Sequence, residues 1–190
     1  ELAQSIEGPV SVRMLRGEVP RLFVKTEPML LNRARILSQG DDVTILSAGI
    51  CTEEALRATG ALAAKGVSLQ HVHISTHKPF TDPQVLAALE SPRSGVITME
   101  NHLITGGLGS AVAEIMAEHG IGKKLVRLGL RDQYAHGASR PYLMKKYGLD
   151  AMALVRAVEG LLGKEFHLSE EDLAGVRLSA MHSAAKAEAL

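Results

Sequence analysis

Tryptophan is absent from this 190-residue sequence, and aromatic residues make up only 3% of it. A hydrophobic core must therefore be built mainly from aliphatic side chains and methionine. Apolar residues reach 46%, an ordinary share for a folded chain that excludes intrinsic disorder. At roughly 150 residues per domain, the length predicts one domain, or one domain plus a fragment.

The sequence also contains only one cysteine and carries no net charge. The single cysteine, Cys51, excludes an internal disulfide and a Cys-based zinc site, and it favours a reducing, cytoplasmic location. The 21 basic residues are balanced by 21 acidic ones, so no basic excess is available for nucleic acid or an anionic membrane surface. No apolar run approaches the ~18 residues of a membrane span, and no signal peptide is evident at the N-terminus. We expect neither a nucleic-acid nor a membrane partner.

Predicted strands alternate with predicted helices along most of the chain. The predicted strands are 10–15, 33–37, 43–47, 67–76, 96–100 and 124–130; the predicted helices are 52–65 with Thr52 as N-cap, one opening at Asp82-Pro83, 108–119, 141–147, 150–162 and one opening at a capping box over 169–172. This alternation predicts a three-layer α/β/α domain with a mostly parallel sheet. The strand at 10–15 has no earlier element to pair with, which suggests that part of a fold precedes it.

A glycine-rich segment lies between a predicted strand and a predicted helix. Gly107 and Gly109 resemble part of a dinucleotide-binding fingerprint, with Asp132 near the position of a ribose-binding acid. Val112 stands where that fingerprint needs a small residue. We favour the alternative that Gly106, Gly107 and Gly109 permit positive φ angles and close packing of the helix on the sheet.

Three histidines, His71, His73 and His77, share one face of a predicted strand at period two. Same-face neighbours lie ~7 Å apart, too far for adjacent rings to converge easily on one ion. We therefore expect no metal site here, and interpret the histidines as polar residues beneath a helix or at an interface.

Glu100 and His102 lie at the C-terminal end of a predicted strand, where ligands bind in open α/β sheets. General acid–base chemistry is possible for either, but no nucleophile accompanies them, so we favour a structural or site-rim role.

Other potentially reactive side chains carry weaker signals. Ser139, His136 and Asp132 fall in one short loop without a nucleophile elbow, so we do not interpret them as a catalytic triad. Cys51 precedes a helix start, where a thiolate could be stabilised, yet it has no evident partner. We expect it to be a small buried residue.

Taken in order, seven segments resemble a known family. They read SVRMLRGEVP (11–20), GDDVTILSAG (40–49), THKPF (76–80), ENH (100–102), GGLGSAVAE (106–114), LGLRDQY (128–134) and YGLD (147–150). Their order and spacing over about 9–162 resemble the C-terminal part of transketolase-type thiamine diphosphate enzymes. The resemblance implies that 1–32 are the end of the pyrimidine-binding domain, including its last strand, plus a linker. It further implies that 33–165 are the transketolase C-terminal domain and 166–190 a C-terminal helical tail.

The resemblance also implies what the chain lacks and what it keeps. The Gly-Asp-Gly metal motif and the cofactor-activating Glu of the family are absent, so the chain alone should hold neither thiamine diphosphate nor Mg²⁺ and should be inactive. Its partners would be the missing domains or subunit, in a homo-oligomer that transfers a two-carbon ketol unit between sugar phosphates. The family's substrate-phosphate arginine falls on Arg16, and a guanidinium presents a rigid fork to phosphate oxygens.

Several alternatives stay open at this point. The THKPFT segment departs from the commoner IKPLD, so a deoxyxylulose phosphate synthase or a 2-oxoacid dehydrogenase β subunit is also compatible with the sequence. From other classes, a nucleotide-binding module or a purely structural dimerisation module remains.

Overall fold

The computed structural model describes residues 2–15, 19–24 and 26–175. Within these residues a 3₁₀ turn at Leu2–Ser5 precedes a long stretch without regular structure, and the alternating elements follow. They are β1 (Arg35–Ser38), β2 (Val43–Ser47), α1 (Cys51–Ala64), β3 (Leu69–His73), α2 (Pro83–Glu90), β4 (Gly95–Leu103), α3 (Leu108–Glu118), β5 (Leu125–Leu130), α4 (Arg140–Lys146), α5 (Ala151–Leu162) and α6 (Glu170–Gly175). Among the described residues, no helix is long and apolar enough to cross a membrane.

The five strands form one sheet in the order β1-β3-β2-β4-β5. β2, β3, β4 and β5 are parallel, and only the edge strand β1 runs antiparallel to its neighbour. Ile45 of the central strand pairs with His71 on one side and Ile97 on the other. The predicted mostly parallel α/β sheet is confirmed.

Helices cover both faces of the sheet. Side chains alternate along β2, so Val43 and Ile45 face α1 and α5, whereas Leu46 faces α2 and α3. All three side chains are fully buried, and each such aliphatic group contributes about 1.5–3 kcal/mol to folding. The core is aliphatic, as the shortage of aromatic residues predicts, and the three-layer architecture is confirmed.

Two predicted helix starts are confirmed by their capping bonds. Asp82 accepts a hydrogen bond from the Gln84 N–H at 3.1 Å, with Pro83 at the first helical position. At α6, the Ser169 hydroxyl accepts from the Asp172 N–H, and the Asp172 carboxylate accepts from the Ser169 N–H at 2.7 Å. Each bond satisfies a backbone donor that the helix itself cannot.

Three details of the predicted secondary structure are wrong. Residues 10–15 form no strand, because no described strand runs beside them to complete a hydrogen-bonded ladder, and their side chains are exposed. Thr52 is not an N-cap: α1 begins one residue earlier, and the buried Thr52 hydroxyl bonds to Ser47 instead. β3 ends at His73, so His77 lies in the following loop. Residues 176–190 of the predicted tail lie outside the described residues.

Candidate functional site

The carboxyl ends of the parallel strands meet at one edge of the sheet, the usual place for a ligand site in this architecture. Gly49 follows β2, His77 follows β3, and Glu100 to His102 form the end of β4. We call this the carboxyl edge. It brings together the strand-end residues that the sequence singles out, and each can be assigned a partner or a position.

Glu100 has a structural role at the start of α3. Its carboxylate accepts hydrogen bonds from the backbone N–H groups of Leu108 and Gly109, both at 2.7 Å, and its side chain is buried. The N-cap residue, Gly107, has no side chain to provide this cap. A carboxylate at this position satisfies two unpaired donors and complements the helix dipole.

This contact argues against nucleotide binding by the glycine-rich segment. A dinucleotide's pyrophosphate binds at the helix N-terminus that follows the first strand–helix turn. In this chain Glu100 already occupies the N-terminus of α3, and it carries the same sign of charge as a phosphate. A nucleotide would have to displace a buried carboxylate from both of its hydrogen bonds.

At each of the three glycines of this segment, a side chain is disfavoured for a different local reason. Gly106 has φ +75°, a conformation that side chains rarely adopt, and its N–H donates to Ser110. A Cβ on Gly107 would lie 2.1 Å from the Glu100 Oε2 atom and 2.7 Å from the Leu103 carbonyl oxygen. A Cβ on Gly109 would meet the side chains of β5 and β4 within about 3 Å. The interpretation as positive φ and close packing therefore holds for this segment.

Asn101, the neighbour of His102, links β4 to the N-terminal segment that precedes β1. His102 Nδ1 lies 2.9 Å from the Leu103 carbonyl oxygen, which fits an Nδ1–H donor and a structural role. The carbonyl oxygen of Asn101 accepts a 2.6 Å hydrogen bond from the Arg13 guanidinium. A side chain 88 residues away in sequence is thus fastened to the carboxyl edge, a contact that no sequence pattern indicated.

The histidines of β3 bond to hydroxyl groups and do not converge on one point. His71 Nε2 lies 2.7 Å from the Ser47 Oγ atom, and His73 Nδ1 lies 2.8 Å from the Thr52 Oγ1 atom. Burial lowers the pKa of His71 to about 3, and burial with the nearby Arg35 lowers that of His73 to about 4. Both rings are neutral at physiological pH. Their shared face, which the alternation in the sequence predicts, is confirmed for these two only.

Comparison with known proteins gives three consistent results. The family model for the transketolase C-terminal domain matches residues 32–154. A protein named as a putative transketolase C-terminal section from Methanocaldococcus jannaschii is 35% identical over 161 residues, 84% of this chain and 50% of that protein. A 6-deoxy-6-sulfo-D-fructose transketolase subunit from Clostridium is 38% identical over 80% of this chain and 46% of its own length.

This chain belongs to the transketolase C-terminal domain family. A solved structure of a split-gene transketolase, described as an inactive β4 tetramer, has the same fold with a TM-score of 0.77 and 35% identity. The match covers 85% of this chain and 52% of that one. The transketolase-family chain therefore spans about half the length of the relatives it matches, and the fold neighbour confirms the α/β architecture.

Enzymes of the transketolase family are in general thiamine diphosphate-dependent, and this cofactor needs ligands for a metal ion and donors for its diphosphate. They contain no group of three or more His, Cys, Asp or Glu side chains that could hold a metal ion. The N-terminus of α3, which could otherwise bind an anion, holds Glu100. The described residues thus offer the cofactor's metal no such cluster of ligands, and the N-terminus of α3 offers its diphosphate no free anion site.

The remaining candidate residues of this transketolase domain are placed as follows. Cys51 begins α1 fully buried, and burial raises the pKa of its thiol to about 12, so it is a small core residue. His136 lies near the Tyr147 hydroxyl and the Lys146 ammonium rather than in a triad geometry. Arg16 lies outside the described residues, so its role as a phosphate ligand stays a prediction.

Proposed function

We propose that this chain is the C-terminal portion of a split transketolase's C-terminal subunit. The complete enzyme transfers a two-carbon ketol unit between sugar phosphates. Thiamine diphosphate supplies the carbanion chemistry when bound with Mg²⁺ by the pyrophosphate- and pyrimidine-binding domains. The observation that carries the proposal is similarity over about four fifths of the chain to proteins named as transketolase sections and subunits.

The N-terminal residues support a role in association with the missing domains. Val10, Val12 and Met14 alternate with polar residues and are 41%, 61% and 82% exposed. This alternation is typical of a strand with one face toward a core, yet no described strand lies beside it. We assign 1–32 to the end of the pyrimidine-binding domain and its linker, 33–165 to the C-terminal domain and 166–190 to a helical tail. In this assignment 10–15 add a strand to the partner's sheet.

Substrate-site shaping is the second part of the proposed role. Arg16 binds the substrate phosphate, an assignment that rests on the family resemblance. Arg13, three residues earlier, holds the same segment to Asn101 at the end of β4. The C-terminal domain thereby fixes the segment on which the phosphate-binding residue lies, and Glu100, His102 and the glycines after β4 shape the nearby loop.

Oligomeric state and location complete the proposal. The fold neighbour is described as a tetramer, so we propose a homo-oligomer in which the exposed apolar segment is covered. A cytoplasmic location fits the single, buried cysteine and sugar phosphate substrates.

A second candidate function is deoxyxylulose phosphate synthesis. Its supporting observation is a 1-deoxy-D-xylulose-5-phosphate synthase from Syntrophotalea carbinolica that is 34% identical over 82% of this chain. The chain covers only 25% of that protein, against about half of the transketolase subunits. The identity is 34%, against 35% and 38% for the proteins named as a transketolase section and subunit, so we place the split transketolase first.

Reconstitution tests the proposal. The chain is joined to, or mixed with, polypeptides that carry the pyrophosphate- and pyrimidine-binding domains, and ketol transfer is assayed with thiamine diphosphate and Mg²⁺. We expect turnover from the combination and none from the chain alone. Arg16→Ala should lower kcat/KM about 10- to 100-fold for phosphorylated substrates, because a charged hydrogen bond contributes roughly 1.5–3 kcal/mol. An equal loss of kcat/KM for unphosphorylated substrates would show that Arg16 does not bind the phosphate. Synthesis of deoxyxylulose phosphate from pyruvate, in place of ketol transfer, would establish the second candidate.

A further inference from the structure

Four side chains form a continuous hydrogen-bonded relay beneath the first turn of α1. His71 Nε2 lies 2.7 Å from Ser47 Oγ, Ser47 Oγ donates to Thr52 Oγ1 at 2.9 Å, and Thr52 Oγ1 lies 2.8 Å from His73 Nδ1. His71, Ser47 and Thr52 are buried, and His73 is half-buried. Each hydroxyl receives one hydrogen bond and donates one, so the whole relay runs in a single direction.

The His71 ring decides that direction. Its Nδ1 atom is buried with no hydrogen-bond partner. If Nδ1 carried the proton, a buried N–H donor would be left unpaired, which is rarer and more costly than a bare acceptor nitrogen. The proton of His71 therefore lies on Nε2 and is donated to Ser47. Ser47 then donates to Thr52, and Thr52 donates to His73 Nδ1. His73 must consequently carry its own proton on Nε2.

The Nε2 atom of His73 is the open end of the relay. It has no hydrogen-bond partner among the described residues. It is also not among the fully buried unpaired atoms of those residues, so solvent reaches it. His73 lines a cavity of about 390 Å³ together with Gly49 and a stretch of the N-terminal segment that includes Arg21, Phe23 and Glu27. The cavity is a shallow groove that opens widely to solvent, and its volume is within the usual range for a small-molecule site.

The charges around this cavity favour an anion. The Glu27 carboxylate lies 3.4 Å from the Arg35 guanidinium, which also stacks on Phe23 at 4.4 Å, so these two opposite charges are paired. Arg21 lines the cavity and makes no ion pair with a described residue, so its guanidinium is available to a ligand, whereas the Glu27 carboxylate of the lining is paired with Arg35 outside it. A neutral N–H donor beside a guanidinium suits the oxygens of a phosphate or carboxylate group.

We propose that the cavity between residues 20–24, Glu27 and the carboxyl edge binds a small oxyanion, with His73 as a hydrogen-bond donor whose tautomer is fixed by the relay. The pKa of His73, lowered to about 4, keeps the ring neutral, so its Nε2–H is available throughout the physiological range. This inference does not rest on the transketolase assignment, because the relay and the cavity lie wholly within the described residues.

Nitrogen NMR of the ¹⁵N-histidine-labelled chain tests the proposal directly. Long-range ¹H–¹⁵N spectra at pH 7.5 should show His73 protonated on Nε2. Titration with inorganic phosphate should shift the His73 nitrogens saturably, whereas sodium chloride at matched ionic strength should not. Acetate separates the two ligand sources, since a carboxylate site would show it binding at least as tightly as phosphate. An Nδ1-protonated His73, or a phosphate response no different from that to chloride, would overturn the proposal.

Variants separate the relay from general stability. His73→Phe and Arg21→Ala should each weaken phosphate binding about tenfold, whereas Arg131→Ala, an exposed arginine after β5 and three strands away from β3, should not change it. Thr52→Val removes the relay hydroxyl and should yield a mixture of tautomers with about twofold weaker binding, since only part of the population can donate. Thr52→Ser should restore the single tautomer. Full binding with His73→Phe would contradict the site, and a single Nε2–H tautomer in Thr52→Val would contradict the relay.

Discussion

The sheet domain and the N-terminal segment before β1 differ in how their hydrogen-bonding groups are paired and in how their apolar side chains are buried. In the domain, even helix ends are satisfied from within: Glu100 caps α3, and the Glu54 carboxylate accepts from the Ala151 N–H at the start of α5. In the segment, Met14 is 82% and Val12 61% exposed, and no described strand pairs with its backbone. The domain thus pairs these helix ends with its own carboxylates, whereas the apolar side chains of residues 10–15 stay exposed.

The strongest test of the domain's self-sufficiency is the cap on α3. Glu100→Ala removes both acceptors, leaves two buried N–H groups unpaired and opens a cavity. We expect the free energy of unfolding to fall by about 3–5 kcal/mol, measured by urea denaturation. Glu100→Gln keeps one acceptor oxygen and should lose roughly half as much. If Glu100→Ala unfolds at the wild-type urea concentration, α3 does not depend on this carboxylate.

A second test adds one methyl group at the same junction. The Cβ of Gly107→Ala would lie 2.1 Å from Glu100 Oε2, so either the carboxylate leaves its hydrogen bonds or the loop moves. We expect a loss of about 2–3 kcal/mol by urea denaturation. Gly122→Ala is the matched control, because nothing lies within 4 Å of its Cβ. Equal stability of the two variants would show that the junction accommodates a side chain.

Sequence patterns predicted the parts of the fold that depend on local signals. The buried run of β2 and the Asp82-Pro83 helix start are examples, because alternation, burial and capping act within a few residues. The backbone partners of Glu100 could not be named from the sequence, because they depend on a loop closing back on the strand. Thr52 was misread as an N-cap because its true partners, Ser47 and His73, are brought close only by the sheet.

Acid should destabilise the domain through its buried histidines. Burial lowers the pKa of His71 to about 3 and that of His73 to about 4, below the ordinary 6.5 of an unfolded histidine. Below pH 6.5 the unfolded state binds more protons, so this contribution is complete above that pH and is lost as the pH falls. Between pH 6.5 and 5.5, His71 and His73 together should lower the free energy of unfolding by about 2 kcal/mol.

Paired variants assign this acid effect to a residue. His71→Leu should reduce the loss between pH 6.5 and 5.5 by about 1 kcal/mol, whereas His119→Leu, at an exposed position, should leave it unchanged. Glu54 acts in the opposite sense, because burial raises the pKa of its carboxyl and its contribution is lost as pH rises. Glu54 should therefore weaken the dependence of the unfolding free energy on pH only toward lower pH. A pH-independent stability over this interval would mean that the histidines titrate normally in the folded chain.

The smallest expected change in stability comes from the segment, and it distinguishes the two regions most directly. Met14→Ser and Met99→Ser make the same chemical change, but Met99 is fully buried between the sheet and its helices. Met99→Ser should cost about 2–5 kcal/mol, whereas Met14→Ser should stay within about 0.5 kcal/mol of wild type. If Met14 lies in a contact with the missing domains, the same variant should weaken association with them, measured by calorimetric titration, by at least tenfold. Tyr134→Ser, at a fully exposed position in a different loop, controls for the loss of an exposed apolar group. A large loss of stability from Met14→Ser in the isolated chain would instead place the segment in this domain's own core, and the contrast between the two regions would fail.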